Sequence, residues 1–404
     1  MLQVNKNKLK ICLLGNMNNN HFALGRYLRD AGYDCHLLLF QNEQEGFLPK
    51  SDAYDLSYNN WVRQLEWGAE KDINRAKFNM IKNDVSEFDF IIGLGHAPAF
   101  LNIINRKLDV MNPYGWDIFY APRFRIVSPH HMPSHLRSTI NQRAGLKKSK
   151  IVHFNTEHGL YANIIKKLLP NSEFNLVPNP IVYAPQYNDT QNLKKGHWWY
   201  EFRTIRSKVD FMVVAHARHV WGDPSDPNVK GNDIFLNGWS IFCEKTPNLK
   251  KSLILCEYGS CVAKSKKLIY ELGIQESVTW FPKMFRKDLM PGLLLADLVA
   301  AEFVHSWVGG GVMYEALVAG KPLLMFSESH DMEGKSDELF SIYNAKSSTE
   351  VANRLQQFVS NPEQGRQIGT DGKNWYQKNV VENAVGHYGK YFDKRAMELG
   401  ISSR

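Results

Sequence analysis

The chain contains no apolar run of about 18 residues, the length a membrane-crossing helix requires. The nearest stretch, around Met290–Val304, is interrupted by Asp297 and Glu302. The start, MLQVNKNKLKICLLGN, is basic, but it has too short an apolar segment for a secretory leader and no cleavage site. The five cysteines (Cys12, Cys35, Cys243, Cys256, Cys261) include no CxxC pair, so spacing offers no thiolate metal site. Cys12, Cys35 and Cys256 stand inside apolar runs, and buried free thiols in a reducing compartment are expected. A cytosolic protein that does not span the membrane is the resulting expectation. The first strand–loop–helix lacks GxGxxG, so the nicotinamide-type dinucleotide fingerprint is absent.

Acidic residues are missing from one long stretch. Arg123 to Lys150 carries Arg123, Arg125, Arg137, Arg143, Lys147, Lys148 and Lys150 without one Asp or Glu, and His130, His131 and His135 lie in the same span. Within a formal net charge of +8, such a patch attracts phosphorylated substrates, acidic lipid headgroups or nucleic acid. No nucleic-acid motif accompanies it, and no nucleic-acid partner is expected. A solvated basic face is the plain alternative.

What is present is ordinary for a globular protein: 404 residues, 44% hydrophobic and 22% charged, enough for two or three domains. Leu298–Phe326 is the most informative stretch. It reads as a strand (Leu298–Val304), three glycines (Gly309, Gly310, Gly311), a helix (Val312–Ala319), a stop at Gly320 and Pro322, and a new strand (Leu323–Phe326). A glycine loop feeding a helix N-terminus offers free N–H groups and the positive dipole end, which suit a phosphate. An ordinary tight βαβ corner is the bland reading.

The same rhythm runs through the chain. Lys10–Gly15, Asp34–Phe40, Phe88–Leu94, Ile151–Asn155 and Phe174–Val177 read as strands and Val110–Asp117 as a strand running into a turn, with a helix over His21–Ala31. The loop Asn16–Asn20 is rich in asparagine, which tolerates left-handed backbone and can line a cleft. His96 and Asp117 follow apolar strands, at the ends where open α/β sheets hold ligands; buried side chains satisfied by backbone are the alternative. Tyr183–Lys208 reads as an inter-domain connection. A second series begins at Asp210–Ala215 and continues through a helix at Ile234–Phe242, capped by Asn232–Asp233, and strands at Ser252–Cys256 and Ser277–Trp280. Helices at Val351–Val359 and Asn374–Met397 end the chain. Arg218 and Lys230 stand at the ligand end of that second series, where cations neutralise a diphosphate.

Across Phe211–Phe326 these residues resemble the GT-B-fold glycosyltransferases, in particular glycosyltransferase family 4. The resemblance rests on HAR…KGND (His216–Asp233), on LILCEYGSCVAKSKKLIYELGIQESVTWFP, and on ADL…GGGVMYEALVAGKP from Ala296. It implies an α/β chain of two doubly wound Rossmann-like domains facing a central cleft. Residues 1–185 would form the acceptor-binding domain and 186–380 the nucleotide-sugar domain, with a helix at 381–404 packing back on the first. It further implies that Glu315 holds the nucleotide ribose hydroxyls, that Arg218 and Lys230 meet the diphosphate, and that Gly309, Gly310 and Gly311 face sugar and phosphate. His96 and Asp117 would face the transferred sugar, with no cofactor and no metal.

The implied function is transfer of a sugar from a nucleoside-diphosphate donor to a glycan or lipid-linked glycan precursor, with retention of configuration. The basic stretch adds an expected peripheral association with the anionic inner face of a membrane. One departure stands out: the family carries a second glutamate eight positions before Glu315, where this chain has Trp307. A degenerate nucleotide-sugar-binding or partner subunit, and a GT-B-fold sugar-nucleotide epimerase, therefore stay open as alternatives.

Overall fold

The computed structural model describes residues 9–154, 165–169, 172–223, 225–226, 228–305, 310–328 and 339–401. Two compact units result: Met1–Tyr183 with Asn379–Arg404, and Ala184–Lys378.

The first unit holds a seven-stranded sheet. Its strands are β1 (Lys10–Leu14), β2 (Asp34–Leu39), β3 (Val62–Gln64), β4 (Phe90–Gly93), β5 (Val110–Met111), β6 (Ile151–Phe154) and β7 (Glu173–Leu176). All pairs are parallel, in the order β3-β2-β1-β4-β5-β6-β7. Because side chains alternate along a strand, β1 feeds two cores at once. Cys12 and Leu14 enter one, with Trp67, Phe100 and Leu146. Ile11 and Leu13 enter the other, with Phe22, Leu28, Tyr388 and Phe392. A sheet buried on both faces needs apolar residues at nearly every position, hence the continuous runs.

The second unit repeats the plan with β8 (Phe211–Ala215), β9 (Lys251–Glu257), β10 (Val278–Pro282), β11 (Leu298–Ala300), β12 (Leu323–Met325) and β13 (Tyr343–Asn344). Its order, β10-β9-β8-β11-β12-β13, is again all parallel. Phe211, Val213 and Ala215 pack with Phe235, Trp239 and Phe242 of the helix Asn232–Lys245. In each unit the chain winds outward both ways from its first strand. Ligands in such sheets sit beyond the strand carboxyl ends where the winding reverses, here β1/β4 and β8/β11.

Several expectations change. The edge strands β3 and β13, three and two residues long, are too short for a periodic signal. Tyr183–Lys208 is not a plain connection. It forms helices at Thr190–Leu193 and Trp199–Arg206, whose buried Phe202 stacks on Phe281 at 4.6 Å. The strand expected over Leu298–Val304 stops at Ala300, because Phe303 N turns aside to donate to Lys230 O. Asn232 does not cap its helix. Gly231 is the cap residue at φ +71°, and Asn232 Oδ1 accepts instead from Val220 N. The final helix is three segments: Pro362–Trp375, a wide turn at Tyr376–Glu382, and Asn383–Glu398. The last segment buries Ala384, Tyr388 and Phe392 in the first unit's core. Among the described residues no helix is long and apolar enough to cross a membrane.

Candidate functional site

Around the β8/β11 reversal, four segments carry charged side chains. His216 and Arg218 follow β8, Glu302 follows β11, Arg286 opens the helix Arg286–Leu295, and Glu315 lies in the helix Gly311–Val318. Glu315 is the centre. Arg286 Nε donates to its Oε1 at 2.8 Å, and His216 Nε2 lies 2.8 Å from its Oε2. Burial alone would push this carboxyl up, but the Arg286 charge and the His216 contact outweigh it and hold the pKa below the usual carboxylate range. An ionised carboxylate is an acceptor with about four lone-pair sites, so two partners leave room for ligand hydroxyls.

Gly310 caps the Glu315 helix in extended backbone without a side-chain cap bond, and Gly310 and Gly311 are half-buried. Gly310 thus supplies no side-chain acceptor to the first N–H groups of that helix, the kind of helix start that receives anions. Gly309, and Trp307 with it, lies outside the described residues.

The two predicted cations differ. Arg218 is half-buried, and its Nη2 lies 3.5 Å from Asn228 Oδ1, a marginal contact. Lys230 is already neutralised: its Nζ forms a 2.8 Å ion pair with Glu302 Oε2, both side chains largely shielded. Its backbone is fixed on both sides, by Lys230 N donating to Val220 O and Phe303 N donating to Lys230 O. Sequence reasoning treated Glu302 only as an interruption of an apolar run and missed Arg286 and His216 as partners of Glu315. Glu302 was the legible signal, since a carboxylate in a buried strand demands a cation.

In the first unit, His96 occupies the N-cap position of the helix Ala97–Ile103 and is buried against Trp116, ring centroids 5.0 Å apart. Burial lowers its pKa to about 4, so the imidazole is neutral at pH 7; its Nδ1 has no hydrogen-bond partner among the described residues. Asp117 has a different task from the expected one. It is fully buried, its Oδ2 accepts from Gly95 N, and its Oδ1 accepts from Tyr114 N and Gly115 N, each at 3.1 Å. Burial pushes its pKa up to about 7 against those donors. Gln142 Nε2 completes the clamp by donating to Gly95 O and Asp117 O. Asp117 therefore positions the loop that carries His96, its carboxylate taken up by three backbone donors.

The asparagine loop is likewise internal. Asn18 and Asn19 adopt left-handed backbone, at φ +51° and +58°, and the buried Asn16 bonds Asn19, Phe47 and Phe22. Beside it, His21 Nδ1 donates to Gly15 O at 2.8 Å and Nε2 accepts from Asn112 Nδ2 at 3.1 Å. Asn112 Oδ1 in turn accepts from Tyr388 OH at 2.9 Å. Among the described residues no group of three or more His, Cys, Asp or Glu is placed to hold a metal ion.

Two doubly wound parallel sheets with this strand order define the GT-B fold. No protein-family model and no curated protein matches the chain. Solved structures do match. HepE from Anabaena, in complex with UDP, aligns with TM-score 0.58 and 15% identity over 96% of this chain and 100% of its own. Sucrose-phosphate synthase from Thermosynechococcus elongatus aligns with TM-score 0.57 and 12% identity over 96% and 99%. The UDP-GlcNAc 2-epimerase from Neisseria meningitidis, bound to UDP-GlcNAc, aligns with TM-score 0.58 and 12% identity over 96% and 99%. At such identities the likeness is one of fold.

Proposed function

We propose that this protein is a glycosyltransferase that moves a sugar from a nucleoside-diphosphate donor to a glycan or lipid-linked glycan acceptor. The observation that carries the reading is the buried, ionised Glu315 on a glycine-capped helix, held between Arg286 and His216 at the β8/β11 reversal. In this reading Glu315 accepts hydrogen bonds from the ribose hydroxyls. The uncapped helix start and Arg218 meet the diphosphate, whose charge grows as the sugar departs. Lys230 adds its charge when the phosphate competes with Glu302 for it. HepE, of the same fold, was crystallised with UDP-glucose, which supports a nucleotide-sugar donor here.

His96 is the acceptor-side group. Inversion would need a side-chain base at the acceptor hydroxyl. Asp117, one of the two candidates, has both oxygens engaged by backbone N–H groups. His96 is then the side-chain base on offer, whereas retention, in which the donor phosphate itself takes the proton, needs neither residue as base. The epimerase remains a second reading, because its TM-score of 0.58 equals that of HepE.

The test is a binding and turnover screen over nucleotide sugars, with wild type beside Glu315→Gln. A thermal shift by one donor that disappears in the variant supports the site. NMR then separates the reactions: an epimerase converts that donor with no acceptor present, whereas a transferase consumes it only with acceptor and reveals the product anomer. A chain whose donor shift persists in Glu315→Gln does not use this site.

A further inference from the structure

Five of the twelve exposed large apolar side chains among the described residues are close together in the chain. Tyr120 (50% exposed), Phe124 (52%), Ile126 (99%), Leu136 (40%) and Ile140 (56%) fall within 21 residues, the last four inside the acid-free basic stretch. On the helix Met132–Lys148, Leu136, Ile140, Arg143 and Lys147 are all exposed and recur at i, i+4, i+7 and i+11, which places them on one face. The preceding segment is fastened to that helix. Arg143 Nε donates to Pro122 O, its guanidinium lies 4.5 Å from the Phe124 ring centroid, and Arg125 N donates to His135 Nε2 at 3.1 Å. Loop and helix thus form one surface.

Its charges are of one sign. Lys150 is taken by Asp109 at 2.8 Å, and Glu70 reaches the ring of the buried His135 at 3.6 Å. The exposed Arg123, Arg137, Lys147 and Lys148 have no acidic partner among the described residues.

We infer that this face docks on an anionic lipid bilayer, with Phe124, Ile126, Leu136 and Ile140 entering the headgroup–acyl boundary and the basic side chains meeting lipid phosphates. Three features favour a bilayer. The patch combines basic and apolar side chains as interfacial segments do. Ile126 is 99% exposed, so a bilayer can receive its whole side chain. A second copy would bring two acid-free basic faces together, which repel. Docking needs no donor chemistry, so it stands or falls separately from the transferase reading.

The experiment uses the full chain in vesicle flotation, with phosphatidylcholine alone or mixed with phosphatidylglycerol. Arg137→Ala/Lys147→Ala/Lys148→Ala and Ile126→Ser/Ile140→Ser alter exposed positions, and circular dichroism checks folding. Wild type is expected to float only with the anionic vesicles. The triple variant should bind about 100-fold more weakly at low salt, at about fivefold per basic side chain. The Ile126/Ile140 variant should lose the binding that wild type retains when salt screens the charges. Folded wild type that ignores anionic vesicles, or variants that float as wild type does, overturns the inference. So does a patch that governs self-association or capture of an acidic protein while leaving vesicle binding untouched.

Discussion

Arg286 Nε lies 2.8 Å from Glu315 Oε1, with the two side chains only 6% and 10% exposed. Removing one member of a buried pair leaves the other charge uncompensated. Arg286→Met should therefore lower stability by about 3 kcal/mol, read from urea unfolding. Glu315→Gln should lose less stability and nearly all nucleotide binding. The sign with pH follows from the depressed carboxyl: its contribution is present above the ordinary 4.5 and lost as pH falls through the lower folded value. The stability gap between wild type and Glu315→Gln should thus close in acid. A gap that stays constant from neutral pH into acid contradicts the ionised carboxylate.

The Lys230–Glu302 pair makes an opposite prediction about affinity. Glu302→Gln frees the Lys230 cation, so if Lys230 meets the diphosphate UDP should bind severalfold more tightly and with a steeper salt dependence, while Lys230→Met should weaken it. Calorimetry on the two variants decides. Tighter binding in neither, or in both, would show that Lys230 does not meet the phosphates.

His21 is predicted to make the protein acid-sensitive. It is buried as the neutral tautomer, with Nδ1 donating to Gly15 O and Nε2 accepting from Asn112, and burial lowers its pKa from the ordinary 6.5 to about 3. A depressed group contributes stability above its unfolded pKa and loses it as pH falls toward the folded value. His21→Gln should flatten the stability profile between those limits, removing a slope of up to about 1.4 kcal/mol per pH unit. His96 and His219, lowered to about 4, share this sign, whereas Asp117 and Glu43, raised to about 7, oppose it. The wild-type minus variant difference isolates His21.

Gly145 tests the helix crossing behind His96. A Cβ there would stand 2.0 Å from Pro98 O, on the helix that His96 begins. Gly145→Ala must push that helix away and should destabilise by about 1–3 kcal/mol. If His96 serves the acceptor, the variant raises acceptor KM more than donor KM. Unchanged thermal stability would mean the crossing is looser than described.

Much of this architecture was written in local pattern. The runs around Ile11–Leu14, Phe211–Ala215 and Leu253–Cys256 had to be apolar throughout because both sheet faces are covered, and that continuity is readable without coordinates. Gly320, at φ +66°, marked the end of the Glu315 helix for a reason confined to its own backbone. The strand and helix flanking the glycines were readable from local pattern, whereas Glu315 entered only through the resemblance of that contiguous stretch to the GT-B glycosyltransferases.

What the tertiary structure alone decided are the pairings. His216 meets Glu315 across 99 residues, Arg286 meets it across 29, and Lys230 finds Glu302 only because β8 and β11 are neighbours in the sheet. No spacing rule encodes such contacts, since strand order, not chain distance, sets them. Asp117 shows the same limit from the other side. Its position at a strand end resembled a ligand site, yet whether its carboxylate faced a sugar or three backbone N–H groups depended on how two loops folded over it. Periodicity and turn chemistry act over a few residues; burial and charge compensation act across the whole fold.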